Sequence, residues 1–338
     1  MTNYAGIDLH SSNCYLAVID QQQTRLFGKR LPNSLEQVQT ALQPFKEELS
    51  GVVVESTFNW YWLVDGLQEE GYRVHLANPS AIRQYEGIKH TDDKWDAFWL
   101  AQLLLLGILP EGYIYPKAER STRDLLRRRL LFVRQRTAHI LSLQSMADRC
   151  CGRRISVNQI KQLTPADGAA LFSDSQLGFT ARCHVETIGF LTQQIRSIEK
   201  AVLPKVALRP EFEIMLTMPG IGKILGLTIM LEVGDVRRFE GPGNFASYCR
   251  CVKSQKISNA KKKGEGNRKH GNRYLAWAYV EAATFAVRYS PCAKAFHQRK
   301  RAKSNNAIAT KAVANKLARA SFYMMRDQTA FDEKRLYG

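Results

Sequence analysis

No apolar run in this chain of 338 residues is long enough to cross a bilayer; the longest, Leu103 to Leu109 and Ile224 to Leu231, are the size of core segments. A membrane span is therefore not expected. The start, Met1-Thr2-Asn3-Tyr4, has no basic stretch followed by an apolar one, so no secretory signal is expected either. Cysteines are few and scattered: Cys14, Cys150, Cys151, Cys183, Cys249, Cys251 and Cys292 form no paired framework, and Cys150, Cys151, Cys183 and His184 lack zinc-site spacing. Free thiols in a reducing cytoplasm are the expectation. Acidic charge is scarce as well, with 31 Asp and Glu against 49 Lys and Arg, a net charge of +18. An imbalance of that size opposes its own compaction and points to a polyanionic partner, nucleic acid before an anionic membrane. At this length two or three domains with real cores are expected.

What the chain does have begins with strands that end in acids. Tyr4-Ala5-Gly6-Ile7-Asp8 reads as a short apolar strand, and Cys14 to Asp20 as its hairpin partner after the polar turn His10-Ser11-Ser12-Asn13. Thr24 to Arg30 adds a third strand, and Ser34 to Glu48 has helical spacing broken at Pro44. Gly51-Val52-Val53-Val54-Glu55 is a continuous apolar run, the mark of a strand buried on both faces, and it too ends in an acid. A helix over Trp60 to Glu70, a strand over Arg73 to Ala77 and a turn at Asn78-Pro79 follow. This order is that of the ribonuclease-H-like architecture.

The next helix starts at Thr91-Asp92-Asp93-Lys94-Trp95-Asp96, with Thr91 read as its cap. Capping and the helix dipole account for one acid in a first turn. They do not account for Asp93 and Asp96, three residues apart on one face, where like charges repel unless a cation lies beside them. The fold order sets this pair next to Asp8 and Glu55 at one edge of the sheet. Four carboxylates there suit magnesium ions, which activate a nucleophile and stabilise the leaving oxygen of a phosphodiester. His10, His75 and His90 are close in sequence, and lone histidines usually complete hydrogen-bond networks.

From Glu119 the chain becomes a basic amphipathic helix rich in arginine, Arg127 and Arg128 among them, that extends toward Arg149. A second helix, His184 to Leu203, has apolar residues at three- and four-residue spacing, and the polar segment Cys150 to Thr180 between the two reads as a connection or an exchangeable insert. The pair is either a solvated hairpin or a dimerising arm with a nucleic-acid face. Pro219-Gly220-Ile221-Gly222 between apolar helices looks like a helix-hairpin-helix turn, in which the amides of Gly220 and Gly222 face a phosphate. A basic, glycine-rich loop follows, with Lys253, Lys256, Lys261, Lys262, Lys263, Arg268, Lys269 and Arg273 as candidate phosphate contacts and with Ser254 and Ser258 inside it. Helices over Tyr274 to Val287 and about Ala307 to Arg326 close the chain.

Gly6-Ile7-Asp8, Val54-Glu55-Ser56-Thr57, Asp93-Lys94-Trp95-Asp96-Ala97, Pro219-Gly220-Ile221-Gly222 and Gly271-Asn272-Arg273-Tyr274-Leu275, in that order, resemble the DEDD transposases of the insertion-sequence family numbered one hundred and ten, relatives of the pilin-inversion recombinases. The resemblance implies an α/β plus α chain: a RuvC-like domain over 1–115, a helical coiled-coil arm over 116–206, and a mainly helical C-terminal transposase domain over 207–338. It implies a Mg2+-binding tetrad of Asp8, Glu55, Asp93 and Asp96 and a nucleophilic serine. That serine is Ser258, here followed by Asn259 where the family has Gly, with Ser254 as the second candidate. It also implies double-stranded donor and target DNA, a structured bridge RNA pairing with both, dimers assembling into a tetramer, and residence at the nucleoid in a prokaryotic cytoplasm. The competing readings are a ribonuclease-H-like nuclease or Holliday-junction resolvase with water as nucleophile, an actin-like sugar kinase or ATPase, and a nucleic-acid-binding protein without chemistry. The kinase reading lacks its later glycine-rich phosphate loops.

Overall fold

The structure, a computed structural model, describes residues 2–82, 92–205, 210–253, 256–259, 261–264 and 270–337. The chain divides into two compact units, Met1–Lys117 and Ala118–Gly338.

The first unit is a five-stranded mixed sheet with helices. Its strands are β1 (Asn3–Leu9), β2 (Asn13–Ile19), β3 (Arg25–Pro32), β4 (Leu49–Glu55) and β5 (Val74–Ala77), in the spatial order β3-β2-β1-β4-β5. The hairpins β1–β2 and β2–β3 are antiparallel, whereas β4 lies parallel to both β1 and β5. β1 and β4 are central and buried, as their unbroken apolar runs require. β3 is an edge strand that leaves Arg25, Lys29 and Arg30 in solvent, where their charges discourage pairing with another chain. The helix α1 (Leu35–Leu42) is capped by Ser34 and gives way to a 3₁₀ turn over Gln43–Glu48 with Pro44 in its first positions, where a proline is tolerated. After α2 (Tyr61–Glu69), α3 (Asp93–Leu105) crosses the sheet over β1 and β2. Thr91, the cap expected for α3, and His90 lie outside the described residues. The cap is Asp92, whose carboxylate accepts from the Trp95 amide at 2.7 Å.

The second unit is helical. α4 (Lys117–Cys151) is 35 residues long and α7 (Ser175–Val202) 28. They run antiparallel, joined by Arg129–Glu199 (2.6 Å) and Arg136–Thr192 (3.2 Å), with Ile140, Leu143, Ala181, Val185 and Ile188 buried between them. The segment expected as a polar connection folds into α5 (Val157–Ile160) and α6 (Pro165–Ala170). Each is nucleated by a capping box, Ser156 with Gln159 and Thr164 with Asp167. α7 starts nine residues earlier than its apolar spacing indicates because Asp174 caps it. At the root of the hairpin Leu126 and Val202 pack on Phe212, Leu227, Met230 and Leu231. The remaining helices are α8 (Pro210–Leu216), α9 (Lys223–Val233), α10 (Pro242–Tyr248), α11 (Arg273–Tyr289), α12 (Pro291–Ala302), α13 (Asn306–Asp327) and α14 (Glu333–Tyr337). They enclose a core centred on Phe245, Tyr279 and Phe322, and a small hairpin of β6 (Lys256–Ser258) and β7 (Lys261–Gly264) interrupts them. Among the described residues no helix is long and apolar enough to cross a membrane.

Candidate active site

β1 and β4 are neighbours in parallel register, Ile7 opposite Val54, so the next residues, Asp8 and Glu55, emerge side by side at the same end of the sheet. The helix α3 reaches that end because Gly6 has no side chain: a Cβ there would lie 2.1 Å from the Ala97 carbonyl oxygen and 2.8 Å from the Ala101 nitrogen. With Ala97 and Ala101 fully buried against it, the helix sits directly on β1 and delivers Asp93 and Asp96 from its first turn.

Asp8 is buried, its side chain 3% exposed. His10 Nε2 lies 3.1 Å from Asp8 Oδ2 and 3.2 Å from Asp93 Oδ1, and Arg30 Nη2 lies 2.6 Å from Asp93 Oδ2. Glu55 and Asp96 join the group electrostatically. Burial, a side-chain hydrogen bond with Asp8 and the charges of Asp8 and Asp96 push the Glu55 carboxyl up to about 8. Burial comes first again for Asp96, followed by the charges of Asp8, Asp93 and Asp92, which outweigh His10 and push it up to about 6. Four acids thus share one pocket of repulsion. Two of their oxygens, Asp8 Oδ2 and Asp96 Oδ1, are buried without a hydrogen bond, although the former is within ion-pair distance of His10. Unpartnered buried acceptors of this kind are unfavourable by themselves. Hard oxygen donors with surplus negative charge fit a divalent cation.

The sequence reads His10 as a histidine of a hydrogen-bond network. Its signal was its position two residues beyond Asp8, which puts both on one side of an extended strand. His75, on β5, is hydrogen-bonded to Glu111 at 2.9 Å.

In the second unit the hairpin β6–β7 pairs Ser258 with Lys261 around Asn259, whose φ is 50°. The side chains of Lys256, Ser258 and Lys262, and the whole of Ser254, Arg268 and Lys269, lie outside the described residues. Lys253, Lys261 and Lys263 are exposed, as is Arg128 on α4. Arg273 stacks on Tyr274 with its guanidinium 4.9 Å from the ring centre and donates to its hydroxyl at 2.9 Å. Arg127, expected as a nucleic-acid contact, is half-buried. Its guanidinium is committed to Glu232, Nε to Oε1 at 2.6 Å and Nη2 to Oε2 at 2.8 Å. The Pro-Gly-Ile-Gly segment does join two helices, α8 and α9. Gly220 has φ +88° and touches α11 so closely that a Cβ would meet the Ala282 oxygen at 2.2 Å, so its glycine is required by packing. Gly222 heads α9 with no side-chain cap and open space around it.

Comparison with known proteins gives two family matches. Residues 5–151, which contain all four acids, match a transposase family named for the DEDD transposases of IS110, and residues 212–298, which contain the basic loop, match the transposase IS116/IS110/IS902 family. The transposase for insertion sequence element IS1328 of Yersinia enterocolitica is 22% identical over 97% of this chain and 98% of its own length. An uncharacterized protein of insertion element IS110 from Streptomyces coelicolor is 25% identical over 42% of this chain. The protein y4qE of Sinorhizobium fredii is 23% identical over 68% of it. The chain spans 35% of the length of the Streptomyces protein and 57% of the Sinorhizobium one.

Proposed function

We propose that this chain, which belongs to the IS116/IS110/IS902 family of transposases, cuts and rejoins the DNA of an insertion sequence through a serine nucleophile and a divalent-metal tetrad. The observation that carries this reading is the convergence of Asp8, Glu55, Asp93 and Asp96 at one end of the sheet, where burial and the neighbouring acids raise the pKa of Glu55 and Asp96, and where Asp96 Oδ1 is buried without a hydrogen bond. The sheet order β3-β2-β1-β4-β5 with α3 laid across it supports a RuvC-like reading of residues 1–115. The long hairpin of α4 and α7 supports an arm over 116–206, with a C-terminal part over 207–338 that shares one compact unit with it.

Asp8, Glu55, Asp93 and Asp96 would hold Mg2+, which supplies positive charge to a scissile phosphate and lowers the pKa of an attacking hydroxyl. The chain's own groups do the rest. Lys253, Lys261 and Lys263 neutralise phosphate charge next to the serine, and the glycines of that loop let backbone amides approach. Ser258 Oγ loses its proton and bonds to phosphorus while a bond from phosphorus to a deoxyribose oxygen breaks; the freed oxygen takes a proton. One ester replaces another, so attack by a new deoxyribose hydroxyl on the phosphoserine rejoins strands without ATP. A bridge RNA pairing with donor and target would supply sequence choice, leaving the protein to read backbone and shape. Two chains of a tetramer built from dimers would complete each site.

The test is denaturing electrophoresis of the purified protein with Mg2+, its co-purified RNA and labelled junction DNA, comparing wild type with Ser258→Ala and Ser254→Ala. A protein-linked DNA band that is lost in one serine variant is the expected result and identifies the nucleophile. Free cleaved ends in all three proteins would instead establish a nuclease that uses water.

A further inference from the structure

We infer that His10 is itself a ligand of the divalent cation held by the carboxylates, making the site a mixed nitrogen and oxygen set that favours Mn2+ over Mg2+. The inference rests on the metal-binding reading above. One nitrogen atom, Nε2, stands 3.1 Å from an oxygen of Asp8 and 3.2 Å from an oxygen of Asp93. Adjacent ligands of an octahedral ion with bonds of about 2.1 Å are separated by about 3.0 Å, so these spacings are those of donors sharing one ion. Asp8, His10 and Asp93 each offer a ligand atom within 4.8 Å of the others. Asp8 Oδ2 is buried and has the imidazole nitrogen at ion-pair distance.

The backbone of His10 is braced as a ligand's needs to be. Its carbonyl accepts from Asn33 Nδ2 at 3.0 Å and Asn59 Nδ2 at 2.9 Å, and its amide donates to the Asn13 carbonyl at 2.9 Å. Three separate points of the unit therefore fix a residue that stands just past the end of β1. Such support is what holds a donor atom in place before the ion arrives. The ring is 43% exposed, which leaves an approach from solvent. Carboxylate and water suit Mg2+, whereas an imidazole in the set shifts preference toward the transition-metal series, in which Mn2+ is the ion nearest to Mg2+ in its liking for carboxylate and water.

The test uses the metal-free full-length protein titrated with Mn2+, following free ion by electron paramagnetic resonance and the bound ion by spin-echo modulation from ligand nitrogen. Mg2+ is titrated in competition, and His10→Ala and His10→Gln are compared with Asp8→Asn. Wild type is expected to show nitrogen modulation that both His10 variants lose. Those variants should bind Mn2+ about tenfold more weakly, a typical effect of disturbing a metal site's donors, and lose less affinity for Mg2+. Unchanged modulation and Mn2+ affinity in the His10 variants, with binding abolished in Asp8→Asn, would overturn the inference and leave the carboxylate site standing. Absence of saturable binding in wild type, matched by Asp8→Asn, would overturn both.

Discussion

Glu55 shows at the scale of one residue what the metal-free site does to stability. Its carboxyl is raised from an ordinary 4.5 to about 8, first by burial and then by Asp8 and Asp96. A group raised in the fold stabilises it fully below the unfolded value and loses that contribution as pH rises through the folded one. Asp96, raised from 3.8 to about 6, acts in the same direction. Metal-free protein should therefore weaken between about pH 4.5 and 8 as these groups ionise against one another. Glu55→Gln removes one of the repelling charges. In a chelator at pH 8 it should raise the melting temperature by roughly 2 °C, the shift expected of about 1 kcal/mol in a chain of this size. Saturating Mn2+ or Mg2+ should reverse the order, because wild type alone gains the full ligand-linked stabilisation. Calorimetry on both proteins with and without ion checks this. A variant less stable than wild type in chelator would mean that Glu55 is held by favourable contacts and not by the fold's demand for a cation.

Between elements, Glu232 is the equivalent focus. It lies on α9, is 3% exposed, and receives Arg127 from α4 in a two-point pair and Asn272 Nδ2 at 2.7 Å. Asn272 in turn caps α11 by accepting from the amides of Tyr274 and Leu275. One carboxylate thus ties the root of the helical hairpin to the helix that follows the basic loop. Glu232→Ala leaves Arg127 without its partner and should destabilise by about 3–5 kcal/mol, whereas Arg127→Met with Glu232→Leu together should be far milder. Denaturant unfolding distinguishes the two; equal losses would refute the pairing as the source. None of this was legible in the sequence, where Arg127 is one of a row of arginines and its partner stands 105 residues away. The strands were legible, since apolar runs ending in acids announce both the burial of β1 and β4 and the end at which Asp8 and Glu55 emerge. The short helices α5 and α6 escaped periodicity because four and six residues are too few to show it, although their capping boxes were present as Ser-x-x-Gln and Thr-x-x-Asp. His10 escaped because its partnership with Asp93 depends on how closely α3 approaches β1, and that depends on Gly6.

Charge is divided unevenly over the whole molecule. Residues 1–117 contain 9 Lys and Arg against 14 Asp and Glu, and residues 118–338 contain 40 against 17. The carboxylate cluster therefore sits in a unit that is acidic overall, a setting that favours a cation and repels phosphate, while the excess of basic charge resides in the other unit. Under the proposed function, the basic unit would supply the attraction for a phosphodiester and an ion on the carboxylates would offset the acidic unit's repulsion. Salt dependence tests this division on the intact chain. The end of α12 presents Arg299, Lys300, Arg301 and Lys303, all exposed. Replacing these four by Ala should flatten the plot of log binding constant against log salt by about 2 to 4, since each lost phosphate contact removes about 0.9 from the slope for duplex DNA. Lys46 and Arg73 belong to the acidic unit and precede β4 and β5, at the opposite end of the sheet from Asp8 and Glu55. Replacing them should leave the slope unchanged. Equal flattening by both sets would mean that the nucleic acid spans the acidic unit as well, and would refute the division.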